Sequence, residues 1–588
     1  MIDLSQKEAI FLPINISAFI TAPPGFGKTF VMTKRVEYLI SSEYLKPPNK
    51  LLALTFSNAA ANEMKGRIKK NVPNSEKYID IMNFHTLAYS ILRIYGNYID
   101  INRHFTIITE KHKDDYIYSY YGSNLGILYM LWDNKSKFSN DYKEWYNRKY
   151  LQGKRINCIN SGKEDIFEEL RKQINQNFIN KDRLDFDHLL FKVIELFKKN
   201  PNIKNLFFKK YILLFADEFQ DTNYIQYLLF KEIATNLEGA KRNVFVMGDK
   251  KQAIMRFQGA NPDNIDSLIK DFNCKTLELK ENHRTNSEEI KLVTRKLREP
   301  TLSVSGIEHK LYINATVEEE ISRLIEVIRD LLTKNVKPHD ICILFPQIKT
   351  SNPIKKRFDE ESIDYILINN FKIDSIIDEY SKMTKEIEEY IEKKYTKKSV
   401  KIIIHELIKK YYSDQYSKNI VLMTIERFSK AFDGGNFSSM EVWKRLQEFY
   451  NYLHMEIDWT NLVKSNIKDR IYLSSIHGSK GLEFDYILML GIINYRLPYY
   501  TFCFPCNDFR NPTKVDISES KDLFYVGISR AIKDIIFFYS EQDEQDLSKA
   551  NRKISCVFND IVEHLKFIDY ESNEYNFQNS EIERLLCK

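Results

Sequence analysis

The sequence predicts an α/β protein with two parallel sheets, each interrupted by a mainly helical insertion. Three observations predict it. Apolar runs of strand length end at polar motifs and give way to helical patterns, across 15–94 and 205–260 and again across 273–371 and 465–545. Such alternation builds parallel sheets with flanking helices. Residues 22–30, APPGFGKTF, form a glycine-rich loop between the apolar Phe19-Ile20 and a helix-compatible VMTKRVEYLI. Residues 211–223, YILLFADEFQDTN, are an apolar run ending in Asp217-Glu218, at the edge where open α/β sheets bind ligands.

In chain order, 1–94 and 205–272 supply the first lobe, and 95–204 is its insertion. The insertion is rich in Tyr, Lys and Asn, carries Trp132 and Trp145, and ends in the helically spaced LDFDHLLFKVIELFKKN. Residues 273–371 and 465–545 supply the second lobe, and 372–464 is its insertion. There Ile and Tyr recur at helical spacing amid mixed charges, and the charge run reads as a solvated helix face before it reads as a binding patch. Residues 546–588 form a tail. A chain of 588 residues is too long for one core and has room for about four domains.

An Asp-Glu pair alone is equally a strand ending in a solvated acidic turn. The upstream loop decides between the readings. Ala22 stands where the usual P-loop has its first glycine, and Pro23, Pro24 and Phe26 fill the variable positions. Gly25 and Gly27 let backbone N–H groups turn inward on phosphate oxygens. Lys28 reaches the β- and γ-phosphates, and the Thr29 hydroxyl ligates Mg²⁺. The following helix adds its positive end to the anion site. With this partner, Asp217 holds Mg²⁺ through water and Glu218 orients and deprotonates the attacking water.

Composition bounds the rest. Hydrophobic residues are 43% and charged residues 29%, ordinary for a globular protein, and a net charge of +6 confines any DNA track to a local basic groove. Seven thinly scattered cysteines fit a reducing cytosol. Cys503 and Cys506 form a CxxC with no second pair to complete a zinc site, so they read as ordinary loop cysteines. No apolar run approaches the roughly 20 residues that span a bilayer, and the expected location is cytoplasmic, without membrane contact.

Further motifs follow: LALTFSNAAANEMKGRI at 52–68, IMNFHTLAYSILR at 81–93, NVFVMGDKKQAIMRFQGANP at 243–262 and LELKENHRTN at 277–286. IYLSSIHGSKGLEFDYILMLG at 471–491 and FYVGISRA at 524–531 complete the set. In this order they resemble the UvrD/Rep/PcrA family of superfamily 1 helicases. The resemblance implies two RecA-like lobes, with ATP in the cleft between them and single-stranded DNA across the top. It assigns adenine reading to Gln6, γ-phosphate sensing to Gln252, arginine-finger roles to Arg284 and Arg530, and a ribose contact to Glu483. Phe30 and His283 match the positions that sandwich adenine. Thr55, Phe56, Asn58, His85, Phe257, Ser475 and His477 match the single-strand track, where aromatic stacking tolerates any base.

The chain departs from the family in places. Phe30 replaces an Arg and His283 a Tyr, which removes a cation–π contribution to base binding. Ala59 replaces a lysine, and Lys250 and Lys251 stand where acidic residues are common. Phe257 and Gln258 replace the Trp-Arg of the WRGA-type segment, and Gln258 puts the coupling of ATP to DNA in question. The second insertion is much shorter than is typical. The resemblance implies an ATP- and Mg²⁺-dependent 3′→5′ translocase on single-stranded DNA that opens duplex carrying a single-stranded tail. The rival reading is a DNA-stimulated ATPase subunit with little unwinding, partnered by a separate nuclease in defence against foreign DNA. A scaffold that binds nucleotide without turnover conflicts with the intact Lys28, Thr29, Asp217, Glu218, Gln252, Arg284 and Arg530. The tail is too short for the family's appended nuclease domain.

Overall fold

A computed structural model describes residues 2–154, 161–303, 309–369, 372–393, 399–412, 421–422, 441–455, 468–493, 496–497, 517–542, 552–569 and 585. Cys503, Cys506 and most of 546–588 lie outside the described residues. The chain divides into two compact units. One holds Met1–Ala22, Lys28–Lys280 and Glu379–Asp458, and the other holds Pro23–Gly27, Glu281–Asp378 and Trp459–Lys588. No helix among the described residues is long and apolar enough to cross a membrane.

The first unit contributes β1 (Ala18–Thr21), β2 (Lys50–Thr55), β3 (Ile79–Asn83), β4 (Thr106–Ile107), β5 (Arg183–Leu184), β6 (Tyr211–Ala216), β7 (Asn243–Gly248) and β8 (Lys275–Glu278). Six of them form a parallel sheet in the order β3-β2-β6-β7-β1-β8. Its central strands are buried on both faces, so they read as continuous apolar runs and not as alternation. Four helices fix the sheet's edge chemistry: α1 (Leu4–Ile10), α2 (Lys28–Ser41), α3 (Asn58–Asn71) and α4 (Phe84–Tyr95). Asp3, Ser57 and Asn83 cap α1, α3 and α4 by accepting backbone N–H bonds, which starts each helix at a defined residue.

The first insertion has an aromatic core of its own. The helices Glu110–Ser123, Lys135–Tyr146 and Ser161–Ile179 close around Trp132, Phe138, Trp145 and Phe167. β4 and β5 pair beside it as a short parallel ribbon. The helix Phe186–Lys199 then buries Leu189, Leu190, Val193 and Phe197 in the core of the lobe.

Helices of the second insertion also belong to this unit. In the helix Asp374–Lys393, Met383, Ile387 and Ile391 are buried at helical spacing, while Lys382, Lys385 and Glu389 face water. The helix Val442–Met455 docks through polar groups. Asn451 accepts the Ile107 N–H at 3.0 Å and donates to the Phe105 carbonyl at 3.0 Å. Gln447 donates to the His104 carbonyl at 2.6 Å, and buried Glu448 pairs with Arg93. The Met455 carbonyl accepts from the Asn58 amide at 2.5 Å.

The second unit has eight strands: β9 (His309–Thr316), β10 (Ile341–Phe345), β11 (Tyr365–Asn369), β12 (Lys372–Ile373), β13 (Ile471–Ser475), β14 (Phe484–Met489), β15 (Ala531–Gln542) and β16 (Leu565–Asp569). Their order is β12-β11-β13-β10-β14-β15-β9-β16, parallel except for β11 with β12. The helices Val317–Thr333 and Ser351–Glu360 cover one face, with Leu324, Ile328, Ile354 and Phe358 packed on Ile343, Leu473 and Leu488. Both lobes are thus the parallel α/β sheets that the sequence predicts.

Candidate functional site

The carboxyl ends of β1, β6 and β7 bring the first group of side chains together. Ala22 follows β1 and donates its N–H to the Gly248 carbonyl at the end of β7, 3.2 Å away. Lys28 opens α2, and its ammonium lies 2.5 Å from Glu218 Oε1. Burial alone would lower the Lys28 pKa, but Glu218, Asp217 and Asp249 raise it overall, so it is held as a cation. Asp217 ends β6; burial, then the charge of Glu218, pushes its carboxyl up to about 7 against the opposing pull of Lys28. Its Oδ1 accepts the Glu218 N–H at 2.8 Å. Glu218 itself has φ +50°, a left-handed conformation that costs a non-glycine residue on the order of 1 kcal/mol. Strain of this kind is stored where the surroundings fix a side chain in place.

Two residues outside the predicted set, Gln220 and Asp249, tie these groups together with Gln252. Gln220 donates to Glu218 Oε2 at 2.5 Å and accepts the Asp249 N–H at 2.9 Å. Gln252 donates to Asp249 Oδ2 at 2.9 Å and to the Ala22 carbonyl at 3.4 Å. The result is a circuit from the partly buried Lys28 and Glu218 through the buried Gln220, Asp249 and Gln252 to the start of the phosphate loop. Gly248 leaves room for it, since a Cβ there would lie 2.9 Å from Gln220 Oε1 and displace that amide from its partners. Asp249 stands in the GDKKQ segment, and its place before Gln252 was the available signal.

Gln6 is buried on α1, whose start Asp3 caps. The buried Arg35 of α2 pins the other end of α1, donating to the carbonyls of Ala9, Ile10 and Leu12 at 3.3, 3.0 and 2.8 Å. Its guanidinium lies 4.5 Å from the Phe245 ring, and burial lowers its pKa to about 10. Thr29 and Phe30 occupy the first turn of α2.

The same sheet edge continues to the DNA candidates. Thr55 ends β2 and donates to the Ser57 carbonyl at 2.9 Å, with Phe56 next in the chain. Asn58 accepts from Asn83 at 2.7 Å. His85 lies edge-on to Phe186 at 5.3 Å, and burial lowers its pKa to about 4, which keeps the ring neutral. Phe257 stands in the 3₁₀ turn Arg256–Gln258 and is 55% exposed, unusual for a large aromatic side chain.

In the second unit, the loop Pro23–Gly27 carries Gly25 and Gly27 at φ +85° and +82°, angles that glycine adopts without strain. The His283 N–H donates to the Gly25 carbonyl at 2.8 Å, and a Cβ on Gly25 would meet Asn282 Oδ1 at 2.6 Å. Arg284 pairs with Glu483 at 2.6 Å and donates to the Ser529 carbonyl at 2.7 Å. Arg530 is buried, donating to the Val526 carbonyl at 2.9 Å and Ser529 Oγ at 2.8 Å. Glu483 and Arg530 immediately precede β14 and β15, at the amino edge of the sheet. Ser475 ends β13 at the opposite edge and accepts the Gly478 N–H at 3.1 Å, with His477 in the turn between.

The UvrD/REP helicase N-terminal domain family matches residues 3–273, and the UvrD-like helicase C-terminal domain family matches 372–542. The chain belongs to the UvrD/Rep/PcrA family of superfamily 1 helicases. It is 27% identical to the ATP-dependent DNA helicase Rep of Buchnera aphidicola subsp. Acyrthosiphon pisum over 92% of this chain and 94% of that protein. It is 28% identical to the ATP-dependent DNA helicase PcrA of Staphylococcus aureus over 60% of this chain and 49% of that protein. A probable DNA helicase II homolog of Mycoplasma capricolum is 30% identical over 62% of this chain and 52% of that protein. The matched stretch is thus about half the length of the latter two relatives. The family's N-terminal match encloses the whole Lys28–Gln252 circuit, and its C-terminal match holds Glu483 and Arg530.

Proposed function

We propose that this protein hydrolyses ATP to move 3′→5′ along single-stranded DNA and to open duplex that carries a single-stranded tail. The hydrogen-bonded circuit from Lys28 to Gln252 carries the reading. It sets a cation, a strained carboxylate and an amide sensor at the carboxyl edge of one sheet, with the DNA candidates further along that edge. Lys28 binds phosphate oxygens. Glu218, held in place by its backbone and by Gln220, takes the proton from the attacking water. Gln252 responds to the γ-phosphate, and Asp249 and Gln220 pass its position to Glu218. Arg284 and Arg530 stabilise charge on the transferring phosphoryl group, and Gln6 and Glu483 select the nucleotide.

The Thr29 hydroxyl and the Asp217 carboxylate are hard oxygen donors, the pair that Mg²⁺ takes alongside water and phosphate oxygens. When bound, the ion neutralises charge on the phosphates. The family relation and the lack of a spanning helix among the described residues support a cytoplasmic location.

Strand displacement on matched 3′-tailed, 5′-tailed and blunt duplexes tests the reading, with ATPase measured on the same DNAs. The 3′-tailed substrate should be opened preferentially. A hydrolysis rate indifferent to DNA would overturn the motor. Gln258, in place of the family's usual arginine, favours a second reading: a DNA-stimulated ATPase partnered by a separate nuclease. In that case stimulation would persist without displacement.

A further inference from the structure

The helix Lys135–Tyr146 does not end as an α-helix. It runs on into a π-helical turn, Asn147–Leu151, closed by the Gln152 N–H on the Asn147 carbonyl at 2.8 Å. Such turns are rare and recur at functional sites. The wider winding has a geometric consequence. At the α-helical 3.6 residues per turn, side chains five apart point about 140° away from each other. Here Asn147 and Gln152 address the same partner.

That partner is the turn bearing Phe257. The Asn147 amide donates to the Phe257 carbonyl at 3.0 Å, and the Gln152 amide to the Arg256 carbonyl at 3.3 Å. In return, the Asn261 amide donates to the Gln152 carbonyl at 2.8 Å. Gly259 closes the contact, because a Cβ at its φ of +93° would lie 2.5 Å from Leu151 Cβ. The backbone on both sides of Phe257 is therefore held from the first insertion, while the residue stays 55% exposed. The stretch 249–261 is fixed at its other end by Asp249 and Gln252.

We propose that Asn147 and Gln152 are positioning residues that present Phe257 as a stacking platform for one base of single-stranded DNA. The first insertion is then part of the grip on DNA. This rests on the DNA-motor reading above.

The test uses the full chain with an oligodeoxythymidylate carrying one 2-aminopurine. Its readouts are probe fluorescence on binding and the DNA concentration that half-saturates ATPase. Asn147→Ala/Gln152→Ala should raise that concentration about tenfold, as partial loss of one base stack implies, with maximal rate within twofold. Asn147→Asp keeps the side chain's size but removes the donor, and should reproduce the effect of Asn147→Ala. Adding Phe257→Ala to the double variant should weaken binding no further than Phe257→Ala alone. Unchanged half-saturation in the double variant, beside a loss in Phe257→Ala, overturns the positioning role and leaves the motor standing. Fully additive losses also overturn it. ATPase of the unaltered protein that ignores DNA overturns the motor reading, and this inference with it.

Discussion

The two sheets use their edges differently. In the first unit, the ATP candidates on β1, β6 and β7 and the DNA candidates Thr55, Asn58 and His85 beside β2 and β3 lie along one carboxyl edge. In the second, Glu483 and Arg530 sit at the amino edge, while Ser475 and His477 sit at the carboxyl edge. A change at Glu218 can therefore reach the DNA end of the first sheet through neighbouring strands. In the second sheet the covalent route is the segment 476–483, which leaves β13 beside His477 and enters β14 beside Glu483. The first edge is a single platform, and the second sheet has two ends joined by one turn.

Arg530→Ala should have the largest effect, lowering turnover roughly 10³-fold or more as loss of an arginine finger does. DNA affinity without nucleotide should hold in this variant, because Ser475 and His477 are at the other edge. Equal loss of DNA binding in a filter assay would show that the edges are not separable.

Next come the groups of the shared edge. Lys28→Ala and Glu218→Gln should each lower turnover roughly 10²–10⁴-fold. Glu218→Gln should still bind nucleotide, and calorimetric titration checks this; normal turnover would remove Glu218 as the base. Because DNA and ATP candidates share this edge, nucleotide should shift DNA affinity in the unaltered protein, and the shift should vanish in Glu218→Gln.

A smaller effect is expected at Asp217. Its folded pKa of about 7 lies above the ordinary carboxylate value. The linked stability is fully present below the ordinary carboxylate pKa near 4, falls as pH rises, and is gone above about 7. In metal-free buffer Asp217→Asn should therefore flatten the fall in thermal midpoint between about pH 4 and 7, and Mg²⁺ should raise the wild-type midpoint most above pH 7. A midpoint that climbs with pH in the wild type but not in the variant would contradict the assignment.

Glu483→Gln should be mildest. Its ion pair with Arg284 is partly exposed, so stability should hardly move. Loss of one hydrogen bond should raise the KM for ATP roughly two- to tenfold with a lesser change in kcat. A kcat effect larger than the KM effect would place Glu483 in control of Arg284 instead.

The sheets and the Lys28, Asp217 and Glu218 positions were legible because short motifs state them: a buried run, then the polar residues its carboxyl end presents. Arg35 was not, since in TKRVEY it looks like one more solvent-facing charge; its burial follows from the carbonyls at the end of α1, which only the fold brings near. The Gln220–Asp249 link joins loops after two different strands, and no local spacing encodes it. The π-helical turn was hidden too, because NRKYL carries no local signal for it and its partners at 256–261 lie far off in the chain.

The docking of the helix Val442–Met455 on β4 and Arg93 has a consequence for synthesis. About 175 residues separate Lys280 from Met455, so a ribosome adding roughly 5–20 residues per second needs on the order of 10–35 s between them. Over that interval the Ile107 N–H, Arg93 and Asn58 lack the partners that the later helix supplies. The unit begun first is thus completed only after the β9–β12 half of the other has been translated, so a nascent chain halted near 280 displays a bare polar seat for one missing helix.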